Sequence, residues 1–172
     1  MSTNYKELTE LVSLLKYKNR TGLLYWSKNF DRKNRVGQKA GCLTNRGYMQ
    51  LRFKGKVYFA HRVIFFMHHG FLPEQIDHKD GIKSNNKIKN LRGANHSQNQ
   101  QNSKKRTNNS SGYKGITWRK ASKKWVVRIV VDRKSHHVGL YENIELAVKA
   151  CNIARKKLHK EFFNSGGKRN VI

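Results

Sequence analysis

The sequence predicts an α+β protein built as two small domains, and three observations carry that reading. Short alternating strand patterns and short helical patterns follow one another along the chain, with neither repeating as a single type. A stretch without any apolar residue, 103–111, separates two such sets. Basic residues are spread from end to end, so folded surfaces carry the charge instead of a disordered tail.

That charge bounds the function. The 172 residues hold 37 Lys and Arg against 10 Asp and Glu, a formal charge of +27. Such a surplus repels itself in the compact state and calls for a polyanionic partner, nucleic acid or an anionic membrane surface. Aromatic residues make up 10% and there is 1 proline, which argues against disorder. No apolar run reaches the roughly 18 residues of a membrane span. Glu7 and Glu10 stand where a signal peptide would be basic. Cys42 and Cys151 are far apart with no C-x-x-C pair, so no disulfide framework and no structural zinc are expected, and a reducing cytoplasm fits.

Element by element, Leu8, Leu11, Val12 and Leu15 predict an amphipathic helix over 5–16, with Thr3 or Asn4 as its cap. Gly22 breaks it, and Leu23-Leu24-Tyr25-Trp26 reads as a strand. Residues 27–41 are polar, basic and punctuated by glycine, a loop. Gly47 to Phe53 alternates, Lys54-Gly55-Lys56 turns, and Val57 to Ala60 returns as a hairpin. A helix over His61–His69 stops at Gly70. After the linker come strands at Gly115–Arg119, Trp125–Val131 and about Ser135–Tyr141. A final helix over Ile144–His159 is capped by Asn143 and turns Ile144, Ala147, Val148, Cys151, Ala154 and Leu158 to one face.

In so basic a chain, two of the few acids bracketing a histidine in Asp77-His78-Lys79-Asp80 stand out. Phosphodiester hydrolysis needs a base to activate water and a hard cation to neutralise the leaving oxygen. A bland alternative is a D-x-x-D-G turn closing at Gly81. The longer pattern decides between them. Ala60-His61-Arg62, Ile76-Asp77-His78-Lys79-Asp80-Gly81, Asn85-Asn86, Asn90-Leu91-Arg92, Asn99 and Asn102 resemble the His-Asn-His (HNH) endonucleases of the zinc-free phage and homing type, over roughly residues 5–102. The resemblance implies a ββα-metal (His-Me finger) nuclease fold. It implies His78 as general base, Asp77 and Asn99 as metal ligands, and Asn90 as the residue tying the two arms and orienting the base. Asn102 is the alternative second ligand, though spacing from Asn90 favours Asn99. The implied metal is a divalent cation, Mg²⁺ first and Mn²⁺ as the alternative. His61, beside aromatics at a helix start, reads as a packed or capping histidine. His68 and His69 suit a helix end, and His96 suits a phosphate contact.

In the second half, Trp125, Val127, Ile129 and Val131 share one strand parity and should pack on the helix. Arg119, Arg128 and His137 fall on the opposite, free face, with Lys114 and Lys120 at its rim. Ser135 and Gly139 are expected to face outward with His137, and Val138 to lie with Tyr141 nearer the core. Trp118 breaks the pattern and, like Trp125, reads as core. The run from Ser111-Gly112-Tyr113-Lys114-Gly115 through Lys124-Trp125-Val126-Val127-Arg128 and His137-Val138-Gly139-Leu140-Tyr141 to Ala154-Arg155-Lys156-Lys157-Leu158-His159 resembles the APETALA/ethylene-response-factor DNA-binding domain. That resemblance implies a three-stranded antiparallel sheet packed on one helix, with its free face docking in the major groove through Arg119, Arg128, His137, Lys114 and Lys120.

The expectation is therefore a nuclease domain over 1–102, a linker over 103–111, a DNA-binding domain over 112–163 and a tail over 164–172. Together they describe a site-specific homing endonuclease that nicks double-stranded DNA as a monomer, with a dimer as the alternative state. It would be phage-encoded and act in the cytoplasm of the host bacterium, with no membrane partner. The rival is a DNA-binding regulator whose nuclease domain is inactive.

Overall fold

The computed structural model describes residues 5–29, 31, 35–102, 109 and 111–163. The caps expected at Thr3 or Asn4, residues 103–108 and 110 of the expected linker, and the tail 164–172 lie outside the described residues. The chain divides into two compact units, Met1–Gly93 and Ala94–Ile172.

The first unit opens with α1 (Tyr5–Ser13), which buries Leu8 and Leu11. The helix is shorter than expected. Leu15 leaves it to begin β1 (Leu15–Lys18), which pairs antiparallel with β2 (Leu23–Trp26). Gly22 makes the turn possible: at φ 75 its N–H donates to the Lys18 carbonyl at 2.9 Å. A short strand β3 (Cys42–Leu43) joins the expected hairpin of β4 (Met49–Phe53) and β5 (Lys56–Phe59) as a three-stranded antiparallel sheet. Lys54 and Gly55 both have positive φ, as a two-residue hairpin turn requires. Helix α2 (Ala60–His69) follows, closed by left-handed Gly70, whose N–H reaches the Phe66 carbonyl. Leu8, Leu11, Leu24, Trp26, Leu51, Phe53, Val63 and Ile64 form the core, and Ile76 and Leu91 extend it beneath a two-stranded sheet of β6 (Gln75–His78) and β7 (Leu91–Ala94).

The second unit holds α3 (His96–Asn102) and a sheet in the order β10-β9-β8, from β8 (Ile116–Arg119), β9 (Lys124–Val131) and β10 (Lys134–Tyr141), all antiparallel. Helix α4 (Ile144–His159) packs on one face through Ile116, Val127, Ile129, Ala147 and Cys151. The side chain of Asn143 caps it, accepting from the Glu145 N–H at 2.6 Å. The buried stripe of α4 is Ala147, Cys151, Arg155 and His159. It runs at four-residue steps and takes in two polar residues that the apolar pattern assigned elsewhere.

Candidate active site

Strand β6 carries Asp77 and His78 into the first unit, where both are 5% exposed. The chain then turns sharply. The Gly81 N–H donates to the His78 carbonyl at 2.7 Å and the Lys79 N–H to the Asn90 carbonyl at 2.8 Å. Asn90 closes this loop. Its Nδ2 donates to Asp80 Oδ1 at 2.9 Å and to the Asn85 carbonyl at 2.8 Å, and its Oδ1 accepts from the Asp80 N–H at 3.1 Å. Asp80 is thus the turn acid. Burial raises its pKa, but donors from Ile82, Asn85 and Asn90 outweigh that and hold it below the usual range. Asp77 faces a cation, Arg92.

The ring of His78 meets Asn86, whose Oδ1 lies 2.9 Å from Nε2. Asn86 is 1% exposed. With the amide oxygen facing it, Nε2 carries the proton and Nδ1 is the basic nitrogen. Asn86 is itself held from behind. The Tyr17 hydroxyl of β1 donates to its carbonyl at 3.4 Å and accepts from the Ile88 N–H at 2.9 Å. Gly22 presses against the same segment: a Cβ there would lie 2.6 Å from the Lys87 nitrogen.

On its other side the His78 ring packs edge-on against His61, with centroids 5.2 Å apart. His61 is buried with Tyr48 and Phe59 around it. Burial first, then the neighbouring charges of His78 and Arg62, push its pKa down to about 3. His61 is therefore a neutral packing wall.

Asp77 Oδ2 accepts from Arg92 Nη2 at 2.7 Å and Nε at 2.9 Å, with both side chains largely buried. Two positions in this site, Asn86 and Arg92, lie in segments quoted for the motif but received no role from sequence. Asn99 and Asn102 lie on α3 of the second unit. The Asn99 N–H donates to the Asn95 carbonyl at 3.0 Å, and Asn102 is 4% exposed. Among the described residues, no three His, Cys, Asp or Glu side chains gather as a metal cluster. A magnesium-like cation needs fewer protein donors than that, because it keeps several waters.

In the second unit, the face of the sheet opposite α4 presents Arg119, Lys124, Arg128 and His137, with His137 directly paired to Arg128 and Arg119 to Lys124. Lys120 begins the 3-10 turn after β8. Lys114 has a different setting from the sheet rim. Its Nζ donates to the carbonyls of Gln100 and Gln101 at 2.7 and 3.2 Å, at the end of α3. Gly139 does not face outward. A bulge between His137 and Gly139 shifts the register, sets Gly139 opposite buried Val127 and turns Leu140 outward. Trp118 sits on the helix side against Trp125, centroids 4.9 Å apart, yet remains 45% exposed.

A strand-borne Asp-His pair, a loop clasped by asparagine and a short helix in sequence behind them are the arrangement of one nuclease class. Residues 58–101 match the family model described as HNH endonuclease, and the chain belongs to the HNH endonuclease family. One relative is "Protein 3.8" of Escherichia phage T7. The two are 32% identical over 87 residues, 51% of this chain and 71% of the phage protein. No solved structure gives a significant match. No helix among the described residues is long and apolar enough to cross a membrane.

Proposed function

We propose that the chain is a site-specific DNA endonuclease of the homing type, which hydrolyses one phosphodiester per binding event with a divalent cation and His78 as general base. The observation that carries this reading is His78 beside Asp77 on a buried strand, with Nε2 fixed by Asn86 Oδ1 at 2.9 Å. In its neutral form a ring so held keeps one tautomer and leaves Nδ1 to take a proton from water. The water oxygen attacks phosphorus, the P–O3′ bond breaks, and a 3′-hydroxyl and a 5′-phosphate result.

The donors suit a hard cation. Asp77 offers carboxylate oxygen, and by its resemblance to the His-Asn-His motif Asn99 would offer an amide oxygen. Mg²⁺ leads and Mn²⁺ follows. When bound, such an ion neutralises charge on the leaving oxygen. Asn90 holds the loop that carries His78, so its role is positional. The second unit docks on double-stranded DNA in the manner of an APETALA/ethylene-response-factor domain, with Arg119, Arg128 and His137 at the bases and Lys120 at phosphate. Lys114, tied to the end of α3, acts at most through that helix. One site per chain makes a monomer a nickase. A phage-encoded protein of this kind works in the cytoplasm of its host.

Supercoiled plasmid carrying the target tests the reading. With Mg²⁺ the chain should convert it to open circles. EDTA should stop the conversion and His78→Ala should slow it by about 10²-fold or more. Equal nicking by His78→Ala would remove His78 as the base, and plasmid left intact in both Mg²⁺ and Mn²⁺ would remove the enzyme.

A further inference from the structure

The outward face of the β8–β10 sheet is not uniformly basic. Reading across the register, Arg119 pairs with Lys124, the next rung sets Val126 beside Leu140, the next pairs Arg128 with His137, and Val130 follows. Rungs that carry arginine therefore alternate with rungs that carry apolar side chains, Thr117 sharing the Val126 rung and Ser135 the Val130 rung, while Lys124 is also ion-paired to Glu142 at 3.3 Å. Successive rungs on one face are two residues apart, about 6.8 Å along the strand, close to two base-pair steps of 3.4 Å. Val130 is 57% exposed and Leu140 is 43% exposed.

Strand propensity alone does not explain those two side chains. Valine favours strands, but threonine would serve equally on a wet face, and leucine is not β-branched. The bulge is the sharper observation. Without it, the two-residue alternation from His137 would turn Leu140 toward α4. The extra residue turns it out to solvent and places Gly139 inward, where a Cβ would meet the Tyr141 ring at about 3 Å. The fold thus re-aims a leucine onto the face that carries Arg119, Arg128 and His137. A second copy of the chain is a poor occupant for that face, since each copy carries +27. Double-stranded DNA supplies both complements: phosphate and guanine edges for the cations, and the thymine C5-methyl for the apolar rungs.

We infer that Val130 and Leu140, with Val126 behind them, read thymine methyl groups in the major groove, while Arg128 and His137 between them take base-edge acceptors. This rests on the proposed role of the sheet as the DNA-docking face, and it adds what that face selects.

The test uses the full chain in EDTA, so that binding is read without cutting. A duplex is selected from a randomised pool, then remade with deoxyuridine in place of each thymine in turn, which removes only the methyl group. At one or more positions, affinity should fall about fourfold per methyl, the equivalent of one buried CH₂. Val130→Ser and Leu140→Asn, both at exposed positions, should each erase the thymine preference at its own position. If Arg128→Gln binds the selected duplex as tightly as the parent chain, the docking reading itself fails. If Arg128→Gln weakens binding but every uracil duplex binds like its thymine parent, the methyl inference is overturned and the docking reading stands. A thymine preference unchanged in both apolar variants also overturns it.

Discussion

A histidine takes a proton from water only when its ring is neutral and one nitrogen is fixed away from the reacting side. Asn86 performs that fixing at His78 Nε2, at 2.9 Å and out of solvent. Asn86→Ala should therefore lower the nicking rate by about 10²-fold, the scale of general-base contributions. DNA affinity in EDTA should change little. Nitrogen chemical shifts of the His78 ring would show a mixture of tautomers in the variant, and a single unaltered tautomer would remove Asn86 from the mechanism. Asp77 and His78 stand out in sequence because acids are scarce, and Asn90 through the resemblance to the His-Asn-His motif; the structure puts Asp77 and His78 on one strand and Asn90 at the turn that follows it. Asn86 was not separable from Asn85, since adjacent amides look alike until the loop's path is known. The path gives Asn85 to Asp80 and Asn86 to the imidazole. Arg92 was hidden for a different reason: one arginine among 37 basic residues carries no signal until Asp77 is seen to accept from it.

The elements that support this site were read less evenly. The hairpin of β4 and β5, helix α2 and the β8–β10 sheet follow directly from alternation and glycine stops. Strand β1 is hidden in the sequence because Leu8, Leu11, Val12 and Leu15 continue a helical spacing across its start, and only pairing with β2 pulls Leu15 away. The bulge in β10 escaped parity counting, which assumes no inserted residue. On α4 the apolar pattern leaves out Arg155 and His159, because polarity suggests exposure, whereas both are buried. The missed β1–β2 hairpin has a functional consequence. Its turn residue Gly22 has φ 75 and backs the segment of Asn86 and Lys87, with room for no Cβ. Gly22→Ala should destabilise the first unit by about 1–3 kcal/mol. It should also slow nicking at temperatures where the fold persists, because the clash displaces the partner of His78. Denaturant melts and single-turnover nicking measure the two effects separately, and a stability and rate equal to the parent would show that the contact is dispensable.

Across the whole molecule, charge governs both stability and binding. Each unit buries a histidine whose pKa is lowered from 6.5, His61 to about 3 and His159 to about 4, in each case by burial first and by neighbouring cations second. Unfolding frees both rings to titrate near 6.5, so below that pH the unfolded chain binds more protons than the folded one. Stability is complete above about pH 7 and falls as the pH drops from 6.5 toward 4 and then 3, by at most about 1.4 kcal/mol per pH unit for each ring. His61→Phe should flatten that slope in denaturant titrations between about pH 8 and pH 4, and an unchanged slope would count against the buried neutral ring. Among the described residues, most charged side chains other than Glu7, Asp77 and Arg155 lie outside the buried interior. Glu7, Glu10, Asp31, Asp77 and Glu142 are each paired to a basic side chain. Few acids are then left to repel phosphate, while the basic residues far outnumber their partners. Each phosphate neutralised releases condensed counterions, so log affinity should fall linearly with log salt at a slope near −0.9 per contact. A surface engaging about 6–10 phosphates loses about 10³–10⁵ in affinity between about 50 and 200 mM salt. The individual positions should divide by role. Lys120→Gln, at the turn after β8, should reduce the slope by about 1 and weaken all sequences alike if it meets phosphate as proposed. Arg128→Gln, at the centre of the sheet face, should cost more on the selected duplex than on random DNA. Fluorescence anisotropy across a salt series reads both quantities. A shallow slope for the parent chain would mean that the surplus charge serves something other than the DNA backbone, and equal losses for Arg128→Gln on both duplexes would move sequence reading off the sheet.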